Sequence, residues 1–146
     1  MRVNGQWLRC DDGIVRPTIQ AFVLVSGEAW VELIFLLDAG ADRTVFSARL
    51  LHRLLNLKTA APETTRLTGI GGSVRFIDVE TSVGFSRDDG QRVTIRGSFA
   101  VFTEIESADL SILGRDVTNN FSVIYDRPNE VVSLLAPPHS YEIKTP

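Results

Sequence analysis

The chain has one cysteine, Cys10, and two histidines, His52 and His139. A lone cysteine excludes an intrachain disulfide. It also leans toward a reducing compartment, so a cytoplasmic location is the expectation. Cys10, His52 and His139 stand at no recognisable ligand spacing, and no metal is expected. Long apolar runs are missing too. No stretch approaches the roughly 20 residues that span a bilayer, and the opening MRVNGQWLRCDDG has no apolar segment of the secretory kind. Positive charge is not in surplus: 15 Lys and Arg against 18 Asp and Glu leave a formal net charge of -3. No basic block is present to meet phosphates, so nucleic acid is not an expected partner. The βαβ rhythm of nucleotide-binding folds is absent. The glycines of GIGG also lack the lysine and helix start of a phosphate-cradling loop.

What remains is an ordinary globular composition, 44% hydrophobic and 23% charged over 146 residues. That suits a single domain, residues 1–146, able to bury a core without metals or disulfides. The hydrophobic pattern is mostly that of strands. Two are expected at 7–10 and 14–25, around the Asp12-Gly13 turn. A continuous apolar run at 30–37 reads as a strand buried on both faces. Further strands fall at 74–85 and 92–102, with Asp89-Gly90 between them, and at 110–113, 121–125 and 131–135. Leu50, Leu51, Leu54 and Leu55 suggest one short helix within 47–57, and residues 115–120 allow a further helical turn. Residues 59–65 read as loop, and the prolines from 137 onward predict a loose tail over 137–146. Many short strands with Gly and Pro turns point to an all-β barrel or sandwich.

Three stretches stand out. In FLLDAGADRTV an apolar run stops at Asp38, and Ala39, Gly40, Ala41 and Asp42 follow. A carboxylate at the end of a rigid strand gains positional accuracy, and Gly40 offers dihedrals closed to other residues. A plain strand-end turn, with Asp side chains capping amides, fits equally well. In LTGIGGSV, Ile70 lies among Gly69, Gly71 and Gly72. A hairpin with such a tip can lay an apolar side chain and backbone amides over a ligand, but a glycine turn alone is the plainer reading. In LSILGRD the apolar residues end at Gly114, and Arg115 and Asp116 follow. Arg115 is well placed to meet a carboxylate in a bidentate pair, with Asp42 the natural candidate. A surface arginine at a helix start is the alternative.

Taken in order, the three stretches resemble the retropepsin-like aspartic proteases, the single-domain family that includes retroviral proteases. That family shows a hydrophobic-hydrophobic-Asp-Thr/Ser-Gly-Ala motif, a glycine-rich flap and a hydrophobic-hydrophobic-Gly-Arg-Asp/Asn motif. Here they read LLDAGAD at 36–42, GIGG at 69–72 and ILGRD at 112–116, and the likeness spans about 15–125. The resemblance implies a closed antiparallel β barrel with one short helix, active as a C2 homodimer in which each subunit supplies one catalytic aspartate, Asp38. The chain holds a single such motif, so a carboxylate pair requires a second copy of the chain. The implied activity is that of an aspartic endopeptidase. Two carboxylates share one proton; one draws a proton from the attacking water, and the other protonates the carbonyl oxygen and then the leaving nitrogen. The implied partners are the chain itself and a peptide or protein substrate bound extended, like a strand. Ile70 and the flap amides would cover it, and Gly40 and Asp42 would meet its backbone from below. Gly114, Arg115 and Asp116 would support the loop. No metal or organic cofactor is implied.

Ala39 departs from the pattern. The family has Thr or Ser there, and its hydroxyl bonds across the twofold axis; alanine has no such group. Activity is expected to be weakened or silenced by the loss. The rival reading is a catalytically inactive, retropepsin-like dimeric module that binds an extended peptide or partner protein. Ala39 favours the module. The joint presence of Asp38, the flap glycines and Arg115 favours the enzyme, because a lone carboxylate near a twofold axis is costly to desolvate. The strand at 131–135 is expected to help join the subunits.

Overall fold

The computed structural model describes residues 1–57, 65–69, 72–104, 110–140, 142 and 144, except for the side chains of residues 65–69, 72 and 73. The strands are β1 (Arg2–Asn4), β2 (Gln6–Arg9), β3 (Val15–Ser26), β4 (Ala29–Leu37), β5 (Val45–Phe46), β6 (Thr65–Gly69), β7 (Gly72–Ser86), β8 (Arg92–Phe102), β9 (Ser111–Leu113), β10 (Ser122–Asp126) and β11 (Val131–Leu135). Helix α1 (Leu51–Leu54) sits between two 3-10 turns, Ala48–Leu50 and Leu55–Leu57, and α2 (Arg115–Thr118) follows β9.

Alternation builds the barrel. In β3, Ile19, Ala21, Val23 and Val25 are fully buried, while Gln20 between them is exposed. The order β3-β4-β9-β5-β8-β7 closes on itself because Phe22 and Val23 of β3 also pair with Gly84 and Val83 of β7. Closure removes the open edges of the sheet. β2 extends this barrel beside β3, and β6 extends it beside β7. Inside, Phe46 packs edge-on against Phe35 at 6.0 Å and tilted against Phe99 at 5.5 Å. The Asp12-Gly13 and Asp89-Gly90 pairs do lie in hairpin turns, with glycine φ of 81° and 79°. The first turn is further tied by Asp12. Hydrogen bonds from Arg16 and from the Ile14 amide hold its pKa at about 2.

The barrel is antiparallel except at two places, where β4 runs parallel to β9 and β5 parallel to β8. β9 also pairs antiparallel with β5. It therefore threads between β4 and β5, the two strands joined by residues 38–44. That insertion puts the first and third motifs, LLDAGAD and ILGRD, side by side.

A second sheet has the order β1-β11-β10. Residues 131–135 form its middle strand: β1 covers one edge of β11 and β10 the other. The Ala136 amide donates to the Met1 carbonyl at 3.1 Å, and a ring nitrogen of His139 lies 2.9 Å from the Ser122 hydroxyl. Among the described residues no helix is long and apolar enough to cross a membrane.

Candidate active site

β4 ends at Leu37, a residue with its side chain in the core, and Asp38 leaves the barrel half-buried. Its amide donates to the Leu113 carbonyl at 3.2 Å, so the loop starts against β9. The Gly40 amide donates to Asp38 Oδ1 at 2.8 Å, and the Ala41 amide to the Asp38 carbonyl at 3.2 Å. One carboxylate oxygen is thus oriented by its own loop. Gly40 is not needed for a left-handed conformation, as the sequence suggested. Among the described residues the glycines with positive φ are Gly13, Gly27 and Gly90. What Gly40 provides is closeness: a Cβ there would stand 3.2 Å from Asp38 Oδ1. Ala39 and Gly40 are exposed, leaving the carboxylate open on that side.

The ILGRD stretch fixes the rest of the loop. The Arg115 amide donates to the Ala41 carbonyl at 2.9 Å and the Asp116 amide to the Asp42 carbonyl at 3.2 Å. The Asp116 carboxylate accepts the Thr44 amide at 2.9 Å and the Thr44 hydroxyl at 2.7 Å. That hydroxyl in turn accepts the Gly114 amide at 3.0 Å. Thr44 is completely buried, so these bonds satisfy groups that water cannot reach. Gly114 is glycine because the loop passes directly over it; a Cβ would lie 2.3 Å from the Arg43 carbonyl carbon.

Arg115 pairs with Asp42 within the chain. Its energetics differ from those of a buried brace, since the two side chains are 52% and 76% exposed. Exposed ion pairs contribute little, typically about 0–1 kcal/mol. Arg115→Ala is therefore expected to lower the stability of the subunit by less than about 1 kcal/mol. Asp116→Ala strands the buried Thr44 donors and is expected to cost about 2–3 kcal/mol. Chemical denaturation of both variants checks this order, and a larger loss for Arg115→Ala contradicts it.

Gly69 and Gly72 form the last pair of the β6–β7 hairpin. Ile70 and Gly71 lie outside the described residues. Two contributors escaped the sequence reading. Thr44 carries no local signal beyond a hydroxyl just before the buried pair Val45-Phe46. Tyr125, on β10, is held beside Trp7 with ring centroids 6.4 Å apart. Burial, and then the charge of Asp38, push its phenol upward from the usual range.

No protein-family model matches the sequence, and no curated protein matches it. Solved structures do. The retropepsin-like aspartic protease from Rickettsia conorii is 17% identical, with 92% of this chain and 90% of that one covered and a TM-score of 0.56. The retroviral protease-like domain of Ddi1 from Leishmania major is 18% identical, with 83% and 96% covered and a TM-score of 0.50. EIAV protease, complexed with the inhibitor HBY-793, is 27% identical over 71% of this chain and 86% of that one, with a TM-score of 0.48. The closed six-strand barrel, with β9 threaded between β4 and β5, is the retropepsin-like fold.

Proposed function

We propose that this chain is an aspartic endopeptidase acting as a C2 homodimer, with a water activated by two Asp38 carboxylates, one from each subunit. The observation that carries this reading is the treatment of Asp38. A half-buried carboxylate leaves the barrel on a loop fixed by Leu113, Arg115, Asp116 and Thr44, with open space on its exposed side. A turn that only reversed the chain would not call for such bracing.

The chemistry follows from two carboxylates placed a few ångströms apart. Both cannot ionise easily, so they hold one proton between them. The ionised member removes a proton from water as it attacks the peptide carbonyl. The protonated member donates to the carbonyl oxygen and later protonates the leaving nitrogen. The flap glycines, Gly69, Gly71 and Gly72 with Ile70, would cover an extended peptide, and Gly40 and Asp42 would meet its backbone.

Ala39 supports the second reading, an inactive dimeric module that holds a peptide without cutting it. Its exposed methyl cannot make a hydroxyl bond to a partner subunit. A restored hydrogen bond contributes roughly 0.5–1.5 kcal/mol, which corresponds to a rate gain approaching about tenfold. Ala39→Thr is therefore expected to raise kcat/KM about tenfold and to tighten the dimer. A peptide-library cleavage assay across pH, run on this chain and on Ala39→Thr, tests both readings. Cleavage by the Ala39→Thr form alone identifies a silenced protease. A dimer that cuts nothing in either form favours the module.

A further inference from the structure

Consecutive residues of the Asp38 loop reach in different directions. Asp42 pairs with Arg115, and Thr44 bonds Asp116, so both hold the loop to the segment after β9. Arg43 between them turns the other way, to β7. Its guanidinium donates to Asp78 and lies over the Phe76 ring, 5.0 Å from the centroid. Phe76 and Asp78 are two residues apart on a strand and so share a face. Phe76 is where the hairpin leaves the barrel. It is the base pair of the β6–β7 ladder, opposite Thr65, and the first of the β7–β8 ladder, opposite Phe102. It is also buried, in a small cluster with Val45, Ala48, Ala100 and Phe102. The Arg43 backbone cannot drift, because Gly114 packs against it and the next amide is bound by Asp116.

From this arrangement we infer that Arg43 is a positioning residue: it couples the loop carrying Asp38 to the root of the Gly69/Gly72 hairpin, so that both are set in one register. The inference rests on the peptidase reading for its consequence in catalysis, but not for the coupling itself. Loss of the charge releases the hairpin root while Asp38 stays held by its own loop and by β9. Substrate binding then weakens more than the chemical step.

The test uses the full-length chain in the Ala39→Thr background. The variants are Arg43→Met, which keeps an apolar stem on Phe76, Asp78→Asn, and the exchange Arg43→Glu with Asp78→Arg. Amide hydrogen exchange at β6 and at the start of β7 is expected to quicken about 5- to 10-fold in each single variant. KM is expected to rise about 5- to 10-fold with kcat within about twofold. The exchanged pair is expected to recover most of both effects, which mere loss of packing would not allow. Unchanged hydrogen exchange in Arg43→Met and Asp78→Asn overturns the inference, as does equal damage in the exchanged pair. If no form cleaves peptide, the peptidase reading fails, and hydrogen exchange alone still decides the coupling.

Discussion

Gly114→Ala is expected to destabilise the fold by about 3 kcal/mol, the upper part of the usual range for overpacking. The added Cβ would stand 2.3, 2.4 and 2.8 Å from the carbonyl carbon, oxygen and amide nitrogen of Arg43. These are backbone atoms, so no side-chain rotation relieves the clash. The loop cannot simply lift either. The Thr44 amide, one peptide further on, is held by both oxygens of Asp116, and lifting would strand a buried hydroxyl as well. For a chain of this size the loss corresponds to a fall in Tm of about 10 °C. Gly40→Ala makes the comparison. Its Cβ meets only the Asp38 carboxylate, at 3.2 Å, and its stability effect is expected to stay below about 1 kcal/mol. Thermal unfolding of the two variants checks the contrast. A Gly114→Ala protein as stable as the parent would mean that the loop is not locked over β9.

The largest effect on activity is expected at Asp38. In the Ala39→Thr background, Asp38→Asn should lower kcat/KM by about 10³-fold or more, at the strong end of general acid–base catalysis. The amide matches the carboxylate in shape and still offers an oxygen to the Gly40 amide. The fold should therefore persist while proton transfer is lost. The pH profile supplies the second signature. A carboxylate pair that must hold one proton gives a bell with its maximum in the acidic range, and Asp38→Asn should abolish the bell rather than displace it. Residual cleavage with an unchanged profile would assign the activity to another group or to a contaminant.

Much of the fold was legible because strands announce themselves locally. The alternation of Ile19, Ala21, Val23 and Val25 with exposed or half-exposed neighbours reads directly as a barrel strand. The turns at Gly13 and Gly90 read as directly. β1 and β5 were not legible, since three and two residues carry no period. The direction of β9 was hidden as well, because parallel pairing with β4 is set by threading and not by any local pattern.

At the site, the order of the three motifs brought out Asp38, Asp42, Gly114, Arg115 and Asp116. It could not assign their work. Arg115 looked like the main brace, yet its pair with Asp42 is exposed, and the buried bonds belong to Asp116 and Thr44. Those two residues are 72 positions apart, and Arg43 and Asp78 are 35 apart. Only the closed barrel makes them neighbours. Gly40 was read as a conformational glycine, but the folded chain uses it as a small one.

A subunit-mixing titration tests the Asp38 pair most directly. Ala39→Thr protein and the same protein carrying Asp38→Asn are combined in varying ratio at fixed total concentration, allowed to exchange subunits, and assayed for peptide cleavage. If each active site needs one Asp38 from each of two chains, activity follows the square of the unmutated fraction, and an equal mixture retains about one quarter. If each chain cuts on its own, the decline is linear, an equal mixture retains about half, and the shared carboxylate pair is contradicted.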